Sequence, residues 1–282
     1  MIPSMPYAPR EYWGRLHQRG DLSAVGQSAL PAAMNAWLYR ILAGHVEGFL
    51  RRHRLLDPPP QAAFDVGSGT GYWVAFWHRL GVPRVDGCDL VPAAVDRLQE
   101  LAHQQGWPDR FVVADIGEPG SLPSERYPMV SCCNVLLHLT DDDAFRRGLE
   151  AVAGLVAEGG HLLLVEPLLL HPEYAPPFDP ARHSRARTRE AYLAPLEAAG
   201  LVLVDLRAAT VLANNPIEAG SPAAFRRYRA WWGFVSRRAK AGDGAARWLG
   251  PLLWLLDGIA IRTGAAPSSK LVLLRRPVGR RS

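Results

Sequence analysis

The feature that most constrains this chain is the segment Phe64-Asp65-Val66-Gly67-Ser68-Gly69-Thr70-Gly71. A short apolar run, Ala62 to Val66, reads as a strand and feeds a turn in which every second residue is glycine. A helix pattern follows from Tyr72 to Leu80 and ends at Gly81. Glycine tolerates positive φ and lets the backbone approach a ligand closely. The helix that opens there aims its free amide groups at whatever sits on the turn. Such a turn belongs at the carboxyl edge of a parallel sheet.

The rest of the chain repeats the strand–helix alternation. Strands are expected at 85–89, 111–115, 129–134, 161–166, 201–206 and 270–274. Helices are expected from Pro92 to Gln105, Asp143 to Ala157 and Thr188 to Ala199. Each stops near a glycine, and Pro92 suits a helix start, where its missing N–H costs nothing. Alternation of this kind predicts an α/β fold with a seven-stranded, mostly parallel sheet covered by helices on both faces. Residues 11–55 carry an apolar helical stripe, with Trp37, Leu38, Ile41, Leu42, His45, Val46, Phe49 and Leu50 at i, i+3, i+4 spacing. The run Asp57-Pro58-Pro59-Pro60 closes it. Four parts follow: an N-terminal helical cap at 1–57, the core at 58–213, a helical insertion at 214–267 and the last strand with a tail at 268–282. The insertion holds Phe225, Tyr228, Trp231, Trp232, Phe234 and Trp254. It is too long for a plain loop and is expected to cap the substrate.

The net charge is +5 and the pI about 9.4. Only Lys240 and Lys270 are lysines, and the arginines occur as scattered short pairs, so no nucleic-acid partner is expected. The three cysteines, Cys88, Cys132 and Cys133, lie in strand-like runs with no zinc spacing, so a reducing compartment and no metal are expected. Met1 to Arg10 lacks the apolar stretch of a signal peptide. Leu249 to Ile261, interrupted by Asp257 and Gly258, is too short to span a bilayer. These readings predict a cytoplasmic protein with no membrane partner, a monomer or homodimer.

A nicotinamide fingerprint needs G-x-G-x-x-G. Here the third glycine comes one place early, and Tyr72 stands where that fingerprint needs it. The pattern is instead D-x-G-x-G-x-G, an acid ahead of the glycines. Asp89 closes the second strand, about twenty residues on, where an acid suits a ribose diol. Asp115-Ile116 closes the third and Asn134 the fourth. After it runs Val135-Leu136-Leu137-His138-Leu139-Thr140-Asp141-Asp142, and Gly159-Gly160 leads into a fifth strand ending at Glu166. One acid at a strand end is often a turn or helix cap; three on one sheet edge point to a ligand site.

Together these segments resemble the class I S-adenosylmethionine-dependent methyltransferases, in particular the type 11 and 12 enzymes that modify small metabolites, over roughly residues 58–210 and the last strand. The resemblance implies a Rossmann-like fold and S-adenosylmethionine as cofactor. It implies that Asp65, Gly67, Ser68, Gly69 and Gly71 form the loop under the methionine part. Asp89 and Leu90 would lie at the ribose, Asp115 and Ile116 at the adenine, and Asn134 at the methionine moiety. Tyr12-Trp13-Gly14-Arg15 is similar to the segment that closes over the cofactor in relatives, which implies roles for Trp13 and Arg15. The implied reaction is methyl transfer to a small-molecule acceptor, with O-methylation of a secondary metabolite favoured. N- or C-methylation and a non-catalytic cofactor-binding subunit are the alternatives. The N-P-P-Y type sequence of nucleic-acid and protein N-methyltransferases is absent, since Asn134-Val135-Leu136-Leu137 stands there.

A base is needed only where the nucleophile holds its proton. His138, just past the fourth strand, is the first candidate. His171 and His183 flank a proline-rich loop, Glu173 to Pro180, which is expected to cover the substrate. Glu166 is weighed as an orienting group for a substrate hydroxyl. Arg185 and Arg187 are weighed as contacts to an acidic substrate group.

Overall fold

The computed structural model describes residues 7–179 and 182–279. Met1 to Pro6 of the N-terminal segment, Pro180 of the expected cover loop and the last three residues of the tail lie outside the described residues. Helices α1 (Pro9–His17) and α2 (Ala32–Arg52) precede β1 (Ala63–Val66), α3 (Tyr72–Arg79), β2 (Val85–Asp89) and α4 (Pro92–Gln105). Then come β3 (Phe111–Val113), β4 (Tyr127–Cys133), α5 (Asp142–Gly154), β5 (Val156–Glu166), the short pair β6 (Leu168–Leu169) and β7 (Arg187–Thr188), and α6 (Arg189–Ala198). The chain ends with β8 (Val202–Ala208), α7 (Pro222–Ala239), α8 (Asp243–Ala260) and β9 (Lys270–Arg275).

The main sheet has the order β3-β2-β1-β4-β5-β9-β8. β9 runs antiparallel to both β5 and β8, and the remaining pairs are parallel. The alternation of side chains along each strand assigns one apolar set to each face. Leu162, Leu164, Val272 and Leu274 pack with Phe145, Leu149 and Val152 of α5 and Tyr192 and Leu196 of α6. Leu163, Val165, Leu271 and Leu273 pack with Val46 and Leu50 of α2, Trp73 and Trp77 of α3 and Leu98 of α4. The central strands are thus buried on both faces, which explains why they read as continuous apolar runs.

Strand order reverses between β1 and β4, the switch point where such folds open a crevice. The turn at Gly67–Gly71 sits there, with φ of 70°, 55° and 80° at Gly67, Gly69 and Gly71. A methyl group at Gly67 would lie 2.5 Å from Val135 Cγ2, so both conformation and space demand glycine.

Three expectations need correction. Residues 18–31 are turns rather than part of one long helix; Gly20 at φ 71° and Gly26 interrupt the apolar stripe. Helix α5 ends at Gly154, and β5 begins at Val156 by pairing with Tyr127 ahead of the irregularity at Gly159-Gly160. The insertion is a helical hairpin, but it packs on α2 rather than over the sheet edge. Trp232, Val235 and Ala239 of α7 and Ala246 and Leu253 of α8 share a core with Met34, Leu38 and Ile41. Gly250 makes this close packing possible, since a methyl group there would meet Trp37 Cγ at 2.1 Å. Asp257, fully buried, accepts from the amides of Val211, Leu212 and Ala213 and faces His45 Nε2 at 2.9 Å. Among the described residues no helix is long and apolar enough to cross a membrane.

Candidate active site

At the switch point a cavity of about 360 Å³ opens above the carboxyl ends of β1 to β4. Gly67, Ser68 and Gly69 form its floor, Asp89, Leu90, Asp115 and Ile116 one wall, and Asn134, Val135 and His138 the other. Trp13 and His17 of α1 complete the lining. Sequence reasoning brings most of these residues to one place. Asp89 Oδ2 accepts from Gly69 N and Oδ1 from Val91 N, each at 2.9 Å, so the acid shapes the glycine turn while it faces the cavity. Asp115 Oδ1 accepts from Gly117 N at 3.0 Å. Asn134 takes a positive φ of 57°, which an asparagine tolerates better than most residues.

Asp65 lies beneath the floor at 1% exposure. Ser131 Oγ donates to its Oδ1 at 2.7 Å and itself accepts from Trp77 Nε1 at 3.0 Å. Its Oδ2 is buried with no partner among the described residues. Burial pushes this carboxyl up to about 7. An unpaired buried carboxylate oxygen beneath a glycine cradle is an acceptor of the kind an ammonium requires, so these residues fit a molecule bearing an ammonium and an adenosyl group. Gly71 is not in the lining; a methyl group there would press on Leu98 and Leu101, so its role is to start α3.

His138 lines the cavity and presents its Nδ1 to the His183 carbonyl oxygen at 2.7 Å. A carbonyl only accepts, so Nδ1 carries the proton and Nε2 is the acceptor. Burial lowers its pKa to about 4. Trp13 packs edge-on against the ring at 4.6 Å. His183 stacks on His138 at 5.6 Å and on Tyr12 at 4.6 Å, so it touches the site through His138 rather than by lining the cavity. α1 and the segment after β5 therefore meet over His138, where the insertion was expected. That segment is pinned by Arg185 and Arg187, which donate to the Thr140 carbonyl and pair with Asp142.

Several candidates lie elsewhere. His171 is half exposed beside Glu173, away from the cavity. Arg15 is on the exposed side of α1, opposite in role to the inward Trp13 and His17. Glu166 is fully buried and accepts from the amides of Val135, Leu136 and Leu137 and from Tyr192 Oη, so it holds the turn that carries His138 and meets no substrate. Trp231 donates to the Leu212 carbonyl, and Trp232 is in the core with α2.

Sequence reasoning missed His17 and Tyr39. His17 is buried, lines the cavity, and has no partner for Nδ1 among the described residues. It stands four residues after Trp13, and that helical spacing was the available signal. Tyr39 Oη donates to the Val25 carbonyl at 3.2 Å, which only the 18–31 turns make possible.

A family profile described as a methyltransferase domain matches residues 63–160. An S-adenosylmethionine-dependent methyltransferase from Clostridium acetobutylicum is similar in structure, at TM-score 0.50 and 11% identity, over 86% of this chain and 92% of that one. The N-methyltransferase NodS from Bradyrhizobium japonicum, solved with S-adenosyl-L-homocysteine, gives TM-score 0.48 and 16% identity over 83% of this chain and 86% of that one. An O-methyltransferase family protein from Burkholderia thailandensis gives 0.49 and 14% over 79% of this chain and 52% of that one. No curated protein sequence matches the chain. With the strand-end acids and the glycine turn in place, residues 63–160 match a methyltransferase domain, and the chain shares the fold of an S-adenosylmethionine-dependent methyltransferase.

Proposed function

We propose that the chain is a class I S-adenosylmethionine-dependent methyltransferase that methylates a hydroxyl group of a small, largely apolar acceptor of the secondary-metabolite kind. In this reading Asp65, Gly67, Ser68, Gly69 and Asn134 hold the methionine part, Asp89 and Leu90 the ribose, and Asp115 and Ile116 the adenine. The cofactor supplies an activated methyl group on a sulfonium, which is a good leaving group. The protein's work is then alignment and exclusion of water. A cavity of about 360 Å³ is of the size that holds a small molecule.

The observation that carries the oxygen acceptor is the fixed tautomer of His138. With Nδ1–H held by the His183 carbonyl, Nε2 is left to accept a hydrogen bond from the nucleophile. A ring lowered to about 4 stays neutral at physiological pH, but it is a weak base. That favours an acidic hydroxyl, such as a phenol or enol, over an aliphatic alcohol. The test is methyl transfer to paired phenol, alcohol and amine acceptors, using the native chain and His138→Ala. Turnover on the phenol should fall about a hundredfold in the variant, the lower end for general-base loss, with S-adenosylhomocysteine affinity nearly unchanged. Transfer to amines alone, or an unaltered rate in the variant, would count against the oxygen acceptor.

A further inference from the structure

The outer side of α8 is apolar from Trp248 to Ile259. Trp248, Leu252, Leu255 and Ile259 recur at i, i+4, i+7, i+11 and form one stripe, about 16 Å long at 1.5 Å per residue. All four are exposed, Trp248 by 84% and Ile259 by 58%. Pro251 and Trp254 extend the surface. Between Trp248 and Ala260 the only charged residue is Asp257, and that side chain is fully buried on the opposite face. Soluble surfaces rarely carry a contiguous patch of this kind without a binding role.

The charge around this stripe says what covers it. Residues 222–263 hold eight basic and two acidic residues, a surplus of six, where the whole chain has a surplus of five. The hairpin thus carries all of the molecule's positive excess. Arg247 precedes the stripe and Arg262 follows it. On α7, Arg238 lies over the exposed Phe234 ring at 5.6 Å. A second copy would bring two such cationic faces together, which charge repulsion opposes. An acidic protein would answer the arginines but not an uncharged stripe. A lipid surface with anionic headgroups answers both: the acyl boundary takes the Leu, Ile and Trp side chains, and the headgroups take the guanidinium groups. Indoles in particular suit the headgroup level.

We propose that the α7–α8 hairpin docks the enzyme on anionic lipid membranes, with α8 lying in the interface plane. The test is flotation of the full chain with vesicles of phosphatidylcholine alone and of phosphatidylcholine mixed with phosphatidylglycerol. The native chain should float with the mixed vesicles, and high salt should release it. Trp248→Ser and Leu255→Ser should each weaken partitioning about tenfold, the scale of one large apolar side chain. Arg237→Glu with Arg238→Glu should do the same on the mixed vesicles. All of these positions are exposed and none lines the cavity, so melting temperature and S-adenosylhomocysteine affinity should be unchanged. The proposal is overturned by a chain that stays in solution with both vesicle types, or binds neutral vesicles equally well. It is likewise overturned by a sedimentation dimer that Trp248→Ser dissolves, which would make a second copy the occupant.

Discussion

Glu166 and His138 show how one buried side chain sets the position of another. Three successive amides after β4 have no strand partner, and a single carboxylate accepts from all of them. Burial pushes that carboxyl up to about 7 while the amide donors pull the other way. Replacing it with alanine strands the three donors in the interior. Glu166→Ala should lower unfolding free energy by about 3 kcal/mol, given the typical cost of unsatisfied buried groups. Urea unfolding measures this. Glu166→Gln, which keeps one acceptor oxygen, should fall between. Turnover should drop with stability, because the same turn carries His138. A variant that loses catalysis while melting like the native chain would mean that Glu166 works by contact with the acceptor instead.

Elements were legible in the sequence where a periodic pattern met a glycine or proline. Pro92 opens α4 and Gly106, at φ 68°, ends it. The strand-end acids followed from the same reading, because Asp89 and Asp115 close or follow apolar runs. What could not be read was which face of an element meets which partner. From Trp248 to Leu256 α8 is apolar all round, so its spacing could not tell that one face packs on α2 and the other is bare. The turns at 18–31 were hidden because Leu22, Val25 and Leu30 keep the apolar density of the helices on either side. Their consequence is that α1 is tethered separately, with Arg97 Nη1 donating to the His17 carbonyl at 2.7 Å. Arg97→Ala should therefore loosen α1 without touching the sheet. Expected results are faster proteolysis within 18–31 and a several-fold weaker cofactor affinity at unchanged urea midpoint. Equal cleavage rates in both chains would show that α1 is held by its aromatic contacts alone.

At the scale of the whole molecule, the fold stores an ionisation cost in its floor. Asp65 has an ordinary carboxyl value of 3.8 in the unfolded chain and about 7 when folded. Between those values the folded state holds a proton that the unfolded state has released. Stability contributed by this group is therefore present at low pH and lost as pH rises from 3.8 to about 7. Buried His138, lowered from 6.5 to about 4, acts in the opposite sense over an overlapping window. Glu166, also raised to about 7, acts in the same sense as Asp65, so the net pH curve of the free enzyme does not separate the Asp65 contribution, and ligand linkage is the way to isolate it. A bound ammonium beside Oδ2 would favour the ionised carboxylate, so binding should strengthen as pH rises through about 7 and should release a proton below it. The melting-temperature gain from saturating S-adenosylhomocysteine should then be larger at pH 8 than at pH 6. In Asp65→Asn the free protein should gain stability relative to the native chain on moving from pH 6 to pH 8, while its ligand-induced gain becomes small and loses this pH dependence. Identical gains at both pH values in the native chain would mean that the ammonium is held elsewhere, and that Asp65 serves only to anchor Ser131 under the turn.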